Sequence, residues 1–392
     1  MLPLEDRART FSLAVARARD LVAEFQRGAD AIDHPDGYPT AELAALHHAG
    51  LLAAPLAEGL GGIGLGLAGG DPPGDRATGA LVDVLEEVGR GSLPLGRIYE
   101  GHVNALLLLQ QHGHPDQVAG WAERAREGAV FGVWNSQDHE GLLLADGPGP
   151  GSIGLDGSKT YASGAGHVRC PIVTAKRPGG PTAMVIVPVD EVEIAIDPSG
   201  WRPLGMRATA SHRVTFAGVR LPARRCLLGS PGAYTREPWF SLGAIRFAAV
   251  QVGGARALLE ATVAALRALG RADSPQQRAR VGTMAIAVES GRQWVRAAAA
   301  LVDAAGPDPD RVAVGRLIAH AQMTRTAVEA ACQDVIRLAE QSIGIGGLLQ
   351  PHPVERIGRD LTTYLRQPGI DATLDEVGRA YLDGVFPPDL PA

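Results

Sequence analysis

Apolar residues recur at three- and four-residue spacing through the first third of the chain, as in Leu43-Ala-Ala-Leu-His-His-Ala-Gly-Leu-Leu and Ala80-Leu-Val-Asp-Val-Leu-Glu-Glu-Val. That period keeps one helix face apolar and predicts helices from about residue 8 to 128, with Gly50 and Gly89 at helix ends. The Gly- and Pro-dense stretch from Glu58 to Asp75 is too poor in side-chain volume for core and reads as a surface connection. Near residue 129 the period shortens. Val130-Phe-Gly-Val-Trp, Ile172-Val-Thr-Ala, Ala183-Met-Val-Ile-Val-Pro-Val, Val192-Glu-Ile-Ala-Ile and Arg213-Val-Thr-Phe-Ala-Gly-Val-Arg-Leu are β-branched or alternating. Turn clusters such as Leu155-Asp-Gly-Ser-Lys separate them, at spacings too short for crossover helices, so the sheet should be antiparallel. After Gly229, Ala-rich helices are predicted at about 241–270, 276–304, 311–342 and 354–367. Val328, Ala331, Cys332, Val335 and Ile336 form one buried stripe. The pattern gives an α+β multidomain chain: a helical part over 1–128, a sheet over 129–229 and a helical part over 230–392.

Composition narrows the partners. The 392 residues are 45% hydrophobic, enough for a large core, and the formal charge is −6 with 37 basic residues scattered among 43 acidic ones. No basic stripe could neutralise a run of phosphates, so nucleic acid is not an expected partner. Cys170, Cys226 and Cys332 are odd in number and far apart, which suits a reducing cytoplasm. The first residues carry both signs of charge, no signal-peptide core is present, and no run reaches ~18 uninterrupted apolar residues, so neither export nor a membrane is expected.

Several familiar motifs lack their context. Gly59-Leu-Gly-Gly-Ile-Gly64 satisfies GxGxxG, but a dinucleotide fingerprint lies between a parallel strand and a helix, and here a helix precedes it. His47-His48 and His112-Gly-His114 have no carboxylate or cysteine at ligand spacing, so no metal is expected. No nucleophile elbow and no lysine-bearing phosphate loop is present.

Four other segments act together. Leu46-His-His-Ala-Gly-Leu-Leu-Ala-Ala-Pro-Leu-Ala-Glu-Gly-Leu-Gly-Gly-Ile-Gly leads into the glycine loop, and Gly157-Ser-Lys-Thr-Tyr-Ala-Ser-Gly-Ala lies in the sheet. Gly205-Met-Arg-Ala-Thr-Ala-Ser is followed by Val214-Thr-Phe-Ala-Gly-Val-Arg-Leu-Pro. Gln341-Ser-Ile-Gly-Ile-Gly-Gly precedes Pro353-Val-Glu-Arg-Ile-Gly-Arg-Asp. In this order and over nearly the full chain they resemble the acyl-CoA dehydrogenase family. The resemblance implies that family's fold: an N-terminal helical domain, a central antiparallel β domain and a C-terminal four-helix bundle.

It also implies FAD, held between sheet and bundle and completed by a neighbouring subunit of a homodimer or homotetramer. A flavin needs an apolar wall, hydrogen bonds at the ring edge and donors for its pyrophosphate. The matching positions are Phe131, Val133 and Trp134 on the first strand, Tyr161 as an aromatic wall, and Ser163 as a hydroxyl near N5. Arg271, with Gln341 and Gly344 from a second subunit, falls at the pyrophosphate positions.

The sequence departs from the family at the chemistry. The usual catalytic glutamate aligns with Pro368, and the other position known to carry it aligns with Ile245, beside Arg246. Neither side chain can accept a proton. The loop after Trp134 loses the serine that helps grip coenzyme A, and Gly243 replaces an aspartate. Candidate catalytic residues are Glu100 and His102, with Asn104 nearby, Arg246, and Arg366 with Gln367 for an anionic or carbonyl substrate. Three functions stay open: an FAD-dependent dehydrogenase of an acyl or acyl-like substrate such as an acyl thioester, with a relocated base; a flavin oxidase or monooxygenase; and a non-catalytic protein of this fold.

Overall fold

The computed structural model describes residues 4–67, 76–366 and 369–384. Five helices come first: α1 (Leu4–Ala31), α2 (Thr40–His48), α3 (Ala77–Gly91), α4 (Leu93–His112) and α5 (Pro115–Arg126). Gly50 lies just past α2 with φ +76°, where a side chain would be strained. Gly89 is not a helix end. It lies inside α3, where a Cβ would meet the Val250 carbonyl oxygen at 2.4 Å, so glycine here permits close helix packing. The glycine stretch is more than a surface connection: Leu65 is fully buried, and Gly59, Gly64 and Gly66 line a cavity.

Eight strands follow: β1 (Phe131–Trp134), β2 (Leu142–Asp146), β3 (Ser152–Ala162), β4 (Cys170–Lys176), β5 (Thr182–Ile186), β6 (Ala195–Asp197), β7 (His212–Pro222) and β8 (Leu227–Leu228), the last preceded by the single-turn helix α6 (Ala223–Cys226). The order β6-β7-β3-β2-β4-β5-β8 forms one sheet, and β1 pairs with β4. Most pairings are antiparallel as the spacing suggests. The pairings of β1 and β2 with β4 are parallel. For β1 the excursion through β2 and β3 returns the chain to the same end, which supplies the long crossover a parallel pair needs. Leu155 to Lys159 is not a turn but the middle of β3. Gly157, at φ +117°, absorbs a register shift against β7 instead of reversing the chain.

The bundle comprises α7 (Gly243–Ala268), α8 (Pro275–Ala305), α9 (Arg311–Ile343), α10 (Pro353–Tyr364) and α11 (Ile370–Leu382). Ser274 and Asp310 cap α8 and α9 through hydrogen bonds from the Gln277 and Ala313 amides. Val328, Cys332 and Val335 are buried along α9, with Ile336 partly buried. Helix α7 is long and apolar enough to cross a membrane, but it packs against α3, α8 and α9 as a core helix.

Two of the sequence segments meet at the seam between sheet and bundle. The Met206 amide donates to Asp360 Oδ1 at 2.6 Å and the Gly205 amide to Thr363 Oγ1 at 2.9 Å. A Cβ on Gly205 would meet the Arg359 carbonyl oxygen at 2.3 Å. Arg359 also pairs with Asp33, just beyond α1, at 2.5 Å, so one guanidinium ties all three parts of the chain together.

Candidate active site

Helix α4 starts at Ser92, whose hydroxyl accepts from the Leu95 amide, with Pro94 in the first turn. One face, including Leu95, Ile98, Tyr99, Val103 and Leu106, is core. Another carries Arg97, Glu100 and Asn104 at helical spacing, so the side chains meet. Arg97 is ion-paired with Glu100, Asn104 Nδ2 donates to Glu100, and Arg246 Nε from α7 donates to Asn104 Oδ1. Glu100 is only 3% exposed. Burial opposes the charge on Arg97, but Glu100, Tyr364 and Tyr234 hold its pKa above the usual value. Burial lowers that of Arg246 despite the attraction of Glu100 and Tyr234. Burial and Glu100 push Tyr234 up to about 12 and hold Tyr364 well above the usual tyrosine value, so both phenols stay protonated beside the cluster.

The cluster abuts a cavity of about 840 Å³ between the N-terminal helices and the start of the bundle. Leu107, Leu108, Trp239, Leu242 and Ile245 give it an apolar wall, and Asn104 and Arg246 form a polar end. Arg7 and Glu58, paired at 3.7 Å, also line it.

His102 does not reach this space. It is fully buried; Nδ1 accepts from the Phe131 amide at 3.0 Å, so Nε2 carries the proton and donates to the Leu52 carbonyl at 2.8 Å. Burial lowers its pKa to about 4, and a neutral ring with both nitrogens engaged is a structural bridge between α4, β1 and the Leu52 turn. Arg366 is exposed and pairs with Glu329 on α9 at 2.7 Å. Gln367 and Pro368 lie outside the described residues.

The flavin positions divide in the same way. Phe131 and Trp134 are buried: Phe131 packs edge-on to Trp121 and His102, and Trp134 Nε1 donates to the Ser163 carbonyl at 2.9 Å. Val133, Tyr161 and Ser163 retain surface. Tyr161 is 64% exposed, sits at φ +51° and meets Trp201 edge-on. Ser163 begins a chain of hydroxyls, 3.0 Å from Ser211, which is 2.8 Å from Thr209, which donates to the Met206 carbonyl. One proton per hydroxyl satisfies all three contacts in a single direction, so Ser163 donates to Ser211, and Ser211 to Thr209. Ser163 therefore offers only lone pairs outward. Behind it, Lys159 is fully buried and donates to Asn135 O, Gln137 Oε1 and Thr174 Oγ1; burial lowers its pKa to about 8. Arg271, Gln341 and Gly344 are exposed on the bundle.

Arg97, Tyr234 and Ser211 were missed by sequence reasoning. Arg97 had a legible signal, its place three residues before Glu100. Ser211 ends the Gly205-Met-Arg-Ala-Thr-Ala-Ser stretch but has no partner until the fold brings Ser163 beside it, and Tyr234 lies in an irregular stretch with no period.

Known proteins resemble this chain throughout. The family model described as acyl-CoA dehydrogenase, N-terminal domain, matches residues 12–129, and the model for the C-terminal domain matches residues 232–369. The probable acyl-CoA dehydrogenase YngJ of Bacillus subtilis (strain 168) is 26% identical over 87% of this chain and 90% of its own length. The probable FMNH2-dependent monooxygenase SfnC of Pseudomonas putida is 25% identical over 95% of this chain and 96% of its own. The structure of TdsC from Paenibacillus sp. A11-2 with FMN and indole superposes with a TM-score of 0.84 at 22% identity, over 95% of this chain and 98% of that one. With sequence matched on both sides of the sheet and the fold matched nearly end to end, the chain belongs to the acyl-CoA dehydrogenase family of flavin-dependent oxidoreductases.

Proposed function

We propose that this chain is an oxygenase that takes up reduced flavin, FMN in preference to FAD, and acts on a small, largely apolar substrate in the cavity beside Arg246. The observation that carries this reading is the state of Glu100. Dehydrogenation of an acyl thioester needs an ionised carboxylate within reach of the α-proton. Glu100 is closed off by Arg97 and Asn104, and Glu58, the one described carboxylate lining the cavity, pairs with Arg7. Ile245 and Pro368, at the two base positions, have no proton acceptor.

The residues present fit a flavin. Val133 and Tyr161 offer apolar surface, and Ser163 offers an acceptor at a ring edge whose N5 bears a hydrogen only when reduced. When bound, reduced flavin supplies the two electrons that oxygen activation consumes. The protein's part is positional: Ser163 accepts one N–H, Lys159 is locked out of the reaction by its three acceptors, and the apolar wall excludes water. The similarity to SfnC, a probable FMNH2-dependent monooxygenase, and to TdsC, whose structure contains FMN, favours FMN. Arg271 is proposed to reach the single phosphate of FMN, and Gln341 and Gly344 the flavin of a second copy, since Ile345 and Leu349 near Gly344 leave apolar surface exposed. The similarity to YngJ keeps the FAD-dependent dehydrogenase as the second reading.

Titrating the purified protein with FMN and FAD, then adding straight-chain acyl-CoA without oxygen, separates the two. The oxygenase reading expects tighter FMN binding and no bleaching. Tight FAD binding with bleaching by acyl-CoA would return the dehydrogenase.

A further inference from the structure

The buried cluster does not balance its charge. Arg97 and Arg246 are cations, Glu100 is the single carboxylate among the described side chains that meets them, and the phenols of Tyr234 and Tyr364 remain neutral. Glu100 is taken up by Arg97. Arg246 makes one hydrogen bond, from Nε to the neutral amide of Asn104, and no ion pair among the described residues. Its remaining surface opens onto the cavity that it lines. A guanidinium taken out of bulk water without a counter-ion is costly, and its two terminal nitrogens form a fork matched to a two-oxygen anion.

The helix that carries Arg246 adds to this field. Helix α7 is 26 residues long, has no acidic residue in its first turn, and starts without a side-chain cap. Its positive end and Arg246 therefore stand on the same wall. The first amides bond the Phe240, Ser241 and Leu242 carbonyls, and the Glu237 carboxylate takes the Ser241 amide and hydroxyl just ahead of them, so the donors that face the cavity come from Arg246. The same cavity is lined by the apolar side chains of Leu107, Leu108 and Trp239.

We infer that the substrate of this site bears an oxyanion, a carboxylate or a sulfonate, on an apolar body, and that Arg246 receives it. This rests on the oxygenase reading for what happens to the substrate, but its test does not use turnover. Calorimetry on flavin-free protein compares β-naphthoate, β-naphthalenesulfonate and β-naphthylmethanol, with wild type, Arg246→Met and Arg246→Lys. The expected result is that at least one acid binds wild type tenfold or more tightly than the alcohol. That preference disappears in Arg246→Met and is partly kept in Arg246→Lys, while FMN binding and melting temperature show both variants folded. Which acid binds more tightly distinguishes carboxylate from sulfonate. Equal binding of acids and alcohol, no binding of either acid, or a preference that survives Arg246→Met overturns the inference. Failure there leaves the oxygenase reading intact, whereas FAD binding with acyl-CoA bleaching overturns that reading alone.

Discussion

Glu100 and Arg97 form an ion pair three residues apart on α4, with the Glu100 side chain almost wholly removed from water. A carboxylate in that state is a counter-ion for its own helix, which is why it is a poor choice for a proton acceptor despite its place beside the cavity.

Glu100→Gln should therefore act on stability before chemistry. It leaves Arg97 without its counter-charge and should cost about 3 kcal/mol. Denaturant melts check the stability, and turnover per folded molecule should stay within about tenfold of wild type. A loss beyond a thousandfold at unchanged stability would make Glu100 the base.

The direction of the hydroxyl chain has its own consequence. Ser163→Ala removes the outward acceptor and should weaken reduced FMN by roughly fivefold, the worth of one hydrogen bond, with little effect on oxidised FMN. Ser211→Ala frees the Ser163 proton to turn outward and should narrow the difference between the two redox forms. Titration of each form against both variants reads this directly.

His102 gives the fold a pH dependence. Its folded pKa, about 4, is depressed below the ordinary 6.5. The unfolded chain thus takes up a proton first as pH falls. The stability it contributes is full above pH 6.5 and is lost as pH falls through the folded pKa near 4, about 3 kcal/mol in all. His102→Gln, which can still donate and accept, should flatten the stability profile across that window.

Gly89→Ala should separate α3 from α7. The added Cβ would sit 2.4 Å from the Val250 carbonyl oxygen, so the helices must move, at a cost of about 1–3 kcal/mol. Thermal melts compared with Gly120→Ala, where nothing lies within 4 Å, isolate the clash from helix propensity.

The order of helices, sheet and helices was legible because each period is local. Gly89 and Gly157 were misread because the same residue type serves a turn, a close helix contact or a bulge, and only the partner decides which. The candidate site was half legible. Glu100 and Asn104 share one helix face, but Arg246, Tyr234 and Tyr364 lie more than a hundred residues away along the chain and arrive through tertiary packing. The role of His102 was invisible because its partners, Leu52 and Phe131, contribute backbone atoms that any residue would supply.

The most direct test of an oxygenase is to load the protein with FMN, reduce it anaerobically and mix it rapidly with dissolved oxygen. The expected result is a transient absorbance that is neither oxidised nor reduced flavin, followed by return of oxidised FMN. Slow reoxidation with no transient, together with rapid flavin reduction by an acyl-CoA, would contradict it.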